Sequence, residues 1–190
     1  MYLSQIGVVT TGNLKTVNDP TPGTTVSGSA GYAGMLGQKT RFGPADAARM
    51  GLKPGVYQYV TFRAADTAAP AAGLVCFWSN MDTYTVTCDA AATNIRLFAG
   101  IVLGAVTKGN SGWIQISGQA TVKFKATLTK VAASGDLVVV DQTPGNTGDV
   151  LADATTLTSP SGGTVIGTAM AAPTNGSSTL VLLWGRNVVD

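Results

Sequence analysis

The sequence predicts a mainly β protein: an antiparallel β-sandwich or barrel, jelly-roll-like or β-tulip-like, with an extended N-terminal arm and one short helix. Three observations predict it. From Leu74 onward, apolar residues recur with a period of two in short runs separated by turn residues. A single segment carries convincing helix start and stop signals. Residues 1–40 are rich in Gly, Thr, Ser and Pro, with apolar side chains too thinly spread to build a core. A chain of 190 residues fits one compact domain plus an ordered arm, divided as residues 1–40 for the arm and 41–190 for the β domain.

Taken in order, the arm holds Ile6, Val8, Val9, Leu14, Val17, Val26 and Tyr32, which give it something to bury. It reads as a segment ordered against a neighbouring subunit. The helix is expected within residues 41–51. Pro44 suits the first helical position, Asp46 the positive N-terminal end, Arg49 the C-terminal end and Gly51 a left-handed cap. A β run follows at 56–62, then an Ala/Pro-rich link at 64–73. Further strands are expected at 74–78, 83–88, 100–107, 113–117, 120–126, 137–141, 164–170 and 179–184. In the 120–126 strand Ala120, Val122, Phe124 and Ala126 face inward, opposite Thr121, Lys123 and Lys125. In 83–88 Tyr84, Val86 and Cys88 share a face opposite three threonines. Lys108-Gly109-Asn110-Ser111-Gly112 reads as a hairpin connection, and 144–148 and 159–163 as loops. No clear tandem repeat emerges.

Composition narrows the function. Hydrophobic residues make up 45% of the chain and charged residues only 12%, so much of the surface is Thr, Ser, Ala, Gly and Asn. Such a surface desolvates at low cost, and depletion of charge marks the core of protein interfaces. All ten acidic residues are Asp, and neither Glu nor His occurs. Most general acid–base chemistry at neutral pH, and most zinc sites, use those missing residues. The twelve basic residues, in a net charge of only +2, are scattered singly, Lys123 and Lys125 being the nearest approach to a basic stripe, so no nucleic acid is expected. No window reaches the roughly 18 apolar residues of a membrane span, and Met1-Tyr2-Leu3-Ser4-Gln5 lacks the opening of a signal peptide. Assembly in a cytoplasm, without a membrane partner, is the expectation. Cys76 and Cys88 fit it as buried thiols, although a turn near Met81 and Asp82 places them opposite each other in a hairpin, where a disulfide is geometrically open to them.

Candidate sites resolve into structural readings. Asp136 and Asp141 flank an apolar run and supply the two carboxylates a glycosidase needs, but Asp at strand ends makes turns. Asp149 and Asp153 lack the regular oxygen alternation of a calcium loop. The 108–112 segment lacks the Gly-x-x-x-x-Gly-Lys-Ser/Thr pattern of a phosphate loop. Trp78, Trp113 and Trp184, with Tyr57, Tyr59 and Tyr84, form either an aromatic platform or ordinary sheet aromatics. Trp113 is the one expected to be exposed, because it alternates with Gln115 and Ser117 while Ile114 and Ile116 point the other way. No catalytic, cofactor-binding or metal-ligating residue is assigned, no cofactor is expected, and the chain is not read as an enzyme.

The strands also carry a resemblance. Phe98-Ala99-Gly100-Ile101-Val102-Leu103-Gly104-Ala105-Val106, then Gly112-Trp113-Ile114-Gln115-Ile116-Ser117-Gly118, then Ala133-Ser134-Gly135-Asp136-Leu137-Val138-Val139, then Val165-Ile166-Gly167-Thr168-Ala169-Met170 form a glycine-spaced succession. It resembles the β domain of capsid decoration, or cement, proteins of tailed bacteriophages. In that pattern a Gly-x-Val-x-Gly strand precedes a Val-x-Val-x-Gly strand, a Gly-Asp-x-Val turn and a Gly-x-Ala strand. Phe42-Gly43-Pro44 to Gly55-Val56-Tyr57-Gln58-Tyr59-Val60 is similar to a phage head accessory protein, so the resemblance spans residues 41–184. It implies a virion protein on the capsid exterior, assembled in the host cytoplasm. Its partners would be the major capsid protein and further copies of itself, as a homotrimer or a dimer. The rival reading is a receptor- or carbohydrate-binding head fibre or adhesin module.

Overall fold

Strand alternation becomes structure here through what covers each face. The computed structural model describes Leu14 and residues 35–67, 69–89, 97–126, 133–140, 150–153 and 165–184, with the backbone alone for 150–153. In chain order the elements are β1 (Lys39–Phe42), α1 (Pro44–Arg49), β2 (Gly55–Phe62), β3 (Val75–Asn80), β4 (Thr85–Thr87), β5 (Phe98–Val102), β6 (Ser111–Lys123), β7 (Leu137–Val140), β8 (Val150–Asp153), β9 (Val165–Ala169) and β10 (Ser178–Leu183). The chain is mainly β with one short helix among the described residues. Apart from Leu14 and residues 35–40, the expected arm lies outside them, as do the loops at 144–148 and 159–163.

Five strands close a barrel. β2, β4, β3, β5 and β6 are neighbours in that order, and pairing of β2 with β6 joins the ends. A closed ring of an odd number of strands cannot alternate direction all the way round, so one parallel pair is forced. It is β2–β4, with Thr61 opposite Thr85 and Phe62 opposite Val86. The barrel is filled by Val60 and Phe62 of β2, Cys76 of β3, Val86 of β4, Ala99 of β5 and Ile114 of β6. Burying side chains of this size contributes roughly 1.5–3 kcal/mol each.

The strands expected at 113–117 and 120–126 are one strand, β6, of 13 residues. Gly118 explains the merger. Its φ is +85°, and a Cβ there would run into the Pro54 carbonyl oxygen, so only glycine lets the strand bend at this point. Before the bend β6 pairs with β2 and β5; beyond it, with β10. Ala120, Val122 and Phe124 are buried as expected. Ala126 is exposed instead, because the strand ends at Lys123.

From the far half of β6 the sheet continues through β10, β9, β7 and β8. Its inward residues, among them Val138, Ile166, Ala169, Val181 and Leu183, pack on Val75, Phe77 and Ile101 from the outside of β3 and β5. The C-terminal sheet is thus laid over one wall of the barrel.

Another wall is covered by the helix. Pro44 opens α1, Asp46 and Arg49 sit at its matching ends, and Gly51 leaves it at φ +63°. Six residues are too few for a helix to stand alone, so packing holds it: Ala47, Leu52 and Leu14 are buried with Tyr57, Tyr59 and Trp113. Leu14 therefore lies in the chain's own core. β1 pairs Lys39 with Gln58 and Phe42 with Gly55, so the sheet runs across the boundary drawn at residue 40.

Candidate functional site

The structure divides the six candidate aromatics into two sets. Tyr57, Tyr59 and Trp113 are buried beneath α1. The Trp113 ring packs on Tyr59 at 5.2 Å and Tyr57 on Phe42 at 5.6 Å. The Tyr57 hydroxyl donates to the Lys53 carbonyl, and burial pushes its pKa up to about 12. The expected exposure of Trp113 is corrected: it is 1% exposed. Its side chain does face outward from the barrel, but the outer face of β2 and β6 is roofed by α1 and Leu14, and Gln115 beside it is buried too, donating to the Ser117 and Gln119 carbonyls. Trp78, Tyr84 and Trp184 retain exposure.

The first exposed feature is the outer face of the C-terminal sheet. Along β10, Val181 and Leu183 point into the core, so Leu180, Leu182 and then Trp184 point out. Leu182 pairs with Thr168 on β9, Thr168 pairs with Leu137 on β7, and the Met170 amide donates to the Leu180 carbonyl. Trp184 is 50% exposed, Leu182 44% and Met170 42%, while Leu180, Leu137 and Val139 are half-buried. The outward positions described on β10, β9 and β7 carry no charged side chain; Lys123 stands at the border, opposite Ser178. Strands apolar on both faces are ordinary where both faces are covered. Here the outer cover is not part of the described chain.

The second feature is the mouth of the barrel. Gln58, Trp78 and Ile116 continue the inward-facing series of β2, β3 and β6, but they sit beyond the packed interior and line a groove of about 320 Å³ together with Lys39, Met81, Tyr84, Leu97 and Phe98. The β3–β4 turn forms its rim. Asn80 Oδ1 accepts from the amides of Asp82 and Thr83 at 2.9 and 3.3 Å, turning the chain so that Tyr84 takes φ +50°. The shared face expected for Tyr84, Val86 and Cys88 is corrected accordingly. Val86 and Cys88 enter the barrel, whereas the positive φ swings Tyr84 out of the strand and over Gly37, close enough that any side chain there would collide with its ring. Trp78 meets Tyr84 edge-on at 6.4 Å.

The remaining candidates fall into structural places. Asp136 is buried, and its Oδ2 accepts from the Ala133 amide at 2.8 Å, the turn-forming role foreseen for it. Asp141 and Asp149 lie outside the described residues, and of Asp153 only the backbone is described, opposite Leu137. Lys108 donates its ammonium to the Asp66 carbonyl at 2.9 Å, and the loop closes with Gly109 and Asn110 bonded to Phe62, so this segment fastens the barrel.

Sequence reading overlooked Asp66. It is buried in the Ala/Pro-rich link, its Oδ1 accepting from the Thr87 hydroxyl at 2.6 Å and its Oδ2 from the Cys88 amide at 3.2 Å. Burial raises its pKa above the ordinary carboxylate range, the bonds from Thr87 and Cys88 and the charge of Arg63 pulling the other way. A lone Asp in such a link gives no signal of this role.

No protein-family model matches the sequence, and no curated protein matches it. Among solved structures, the chain is similar to the N base of the head fibre gp8.5 in bacteriophage phi29, at 14% identity and a TM-score of 0.41, over 70% of this chain and 98% of that one.

Proposed function

We propose that this chain is a structural, non-enzymatic virion protein of a tailed bacteriophage, which binds the outside of an assembled capsid and stabilises contacts between major capsid subunits. The observation that carries the proposal is the outer face of the C-terminal sheet, whose described outward positions on β10, β9 and β7 bear no charged side chain. Trp184, Leu182 and Met170 stand exposed on it, on a chain with only 12% charged residues. Large aromatic and aliphatic anchors without charge are what the centre of a protein interface uses. Modest contacts of this kind suffice when a shell presents many equivalent sites, since binding only the assembled lattice stabilises it by mass action. Self-association as a homotrimer, with a dimer as the alternative, belongs to the same reading. The test is the copy number of the protein in purified virions, measured by quantitative mass spectrometry against the major capsid protein. A lattice-matched ratio, with loss of shell stability on removal, supports the proposal; a handful of copies or none overturns it.

The barrel mouth favours a second reading, a receptor- or carbohydrate-binding module. Barrel mouths are common ligand sites, and this one offers Trp78 and Tyr84 rings beside Gln58 and Lys39. Glycan-array binding that Trp78→Ala abolishes would move this reading ahead. Since Trp113 is buried, Trp78 is the residue to change.

A further inference from the structure

The barrel core contains a feature that packing alone does not require. Cys76 and Cys88 face each other across β3 and β4: the register Phe77 to Thr87 and Trp78 to Val86, carried one pair further, sets one cysteine opposite the other. Their Sγ atoms lie 3.4 Å apart. Both side chains are buried among Leu74, Val86, Ala99 and Ile114. A thiol is a weak donor and a weak acceptor, so neither needs the other as a hydrogen-bond partner, and aliphatic side chains would fill the same space. Directly opposed residues of an antiparallel pair have Cα atoms about 4.5–5.5 Å apart, within the range of about 4.4–6.8 Å that a disulfide tolerates. The sulfurs can therefore close to bonding distance by side-chain rotation, with the backbone staying in place.

We propose that Cys76 and Cys88 are a disulfide-forming pair: the chain folds as the dithiol and closes to an intrachain cystine when it meets a low-molecular-weight disulfide such as oxidised glutathione. One cysteine thiolate attacks a sulfur of glutathione disulfide, forming a mixed disulfide and expelling a glutathione thiolate. The second cysteine thiolate then attacks the protein sulfur of that mixed disulfide, forming the Cys76–Cys88 bond and expelling the second glutathione. The two protons leave on the two glutathione thiols; the protein loses two electrons and the reagent gains them.

Burial sets the kinetics. The Cys76 thiol is held well above the usual range by its apolar surroundings, so the attacking thiolate forms when β3 and β4 part and water enters. The bond closes a loop that contains Trp78, Met81 and Tyr84, and so fixes the rim of the barrel mouth. The proposal does not depend on the virion reading, which affects only when the chain meets an oxidant.

The experiment uses the purified full chain, reduced and then held in a mixture of oxidised and reduced glutathione, at room temperature and again a few degrees below its Tm. Intact mass and thiol titration are read at each. The expected product is monomeric, has lost the mass of two hydrogen atoms and both titratable thiols, and gains about 5–10 °C in Tm, a gain that dithiothreitol reverses. Cys88→Ala should instead stop at a single glutathione adduct with no gain. Two free thiols after both incubations, a wild-type protein that accumulates stable glutathione adducts, or disulfide-linked dimers would each overturn the pairing.

Discussion

Two outer sheet faces in this molecule are built from the same kind of residues and end in opposite states. On β2 and β6 the outward positions hold Tyr57, Tyr59 and Trp113, and α1 with Leu14 roofs them. On β10 and its neighbours they hold Leu180, Leu182, Trp184 and Met170, and no described segment roofs them. A strand that is apolar on both sides asks for two covers. The barrel wall receives both from its own chain, whereas the C-terminal sheet receives one from the described residues. The contrast shows that strand chemistry alone does not make a surface sticky; what matters is whether the fold returns a second element to it.

Trp113→Ala breaks the roofed face and should show the largest effect, about 3–5 kcal/mol of lost stability in denaturant unfolding, the cost of truncating a buried aromatic. Gly118→Ala attacks the bend through which β6 passes from one region to the other. The strained left-handed φ alone costs about 1–3 kcal/mol, and the contact with the Pro54 carbonyl adds to it, so a loss smaller than that would mean the strand bends without needing glycine.

Asp66→Asn probes the fastening of the barrel by pH. The folded state raises the Asp66 pKa, so the folded chain binds this proton more tightly than the unfolded chain. Its contribution to stability is full below the ordinary carboxylate pKa and is lost as pH rises through the raised one. The wild-type Tm should therefore fall across that window, and the variant, whose amide can keep the Thr87 and Cys88 contacts, should fall less steeply. Equal slopes in the two proteins would assign the pH dependence to other groups. The smallest effect on the isolated fold belongs to Leu182→Ser and Trp184→Ser, within about 0.5 kcal/mol as for ordinary surface changes. The same substitutions should cost binding to capsids in a sedimentation assay. A large loss of monomer stability would show that this face is roofed after all.

Much of this could be read from the sequence. Pro44, Asp46, Arg49 and Gly51 bounded the helix correctly because capping chemistry is local. The alternation of Val122 and Phe124 against Thr121 and Lys123 gave the inward face, and the turn near Met81 brought Cys76 to Cys88. Two strands escaped. Lys39–Phe42 is a short edge strand with charged residues at Lys39 and Arg41, the kind of segment that carries little apolar pattern, and Val150–Asp153 is only four residues long. Trp113 was misplaced for a different reason. A period of two tells which residues share a face but not what lies over it, and the roof comes from Leu14 and Ala47, distant in sequence. Leu182 was overlooked on the same ground, and Tyr84 because a positive φ in a tyrosine cannot be read from residue type.

The shared strand β6 also has a mechanical meaning. Its first half belongs to the barrel and its second half to the C-terminal sheet, on either side of Gly118. The joint between the two regions therefore includes a continuous run of peptide bonds as well as the side-chain contact around Val75 and Phe77. Leu182 stands in the β10–β6 ladder, and that ladder runs into the same backbone that pairs with β2 and β5, so a shift of β10 reaches the barrel through main-chain bonds.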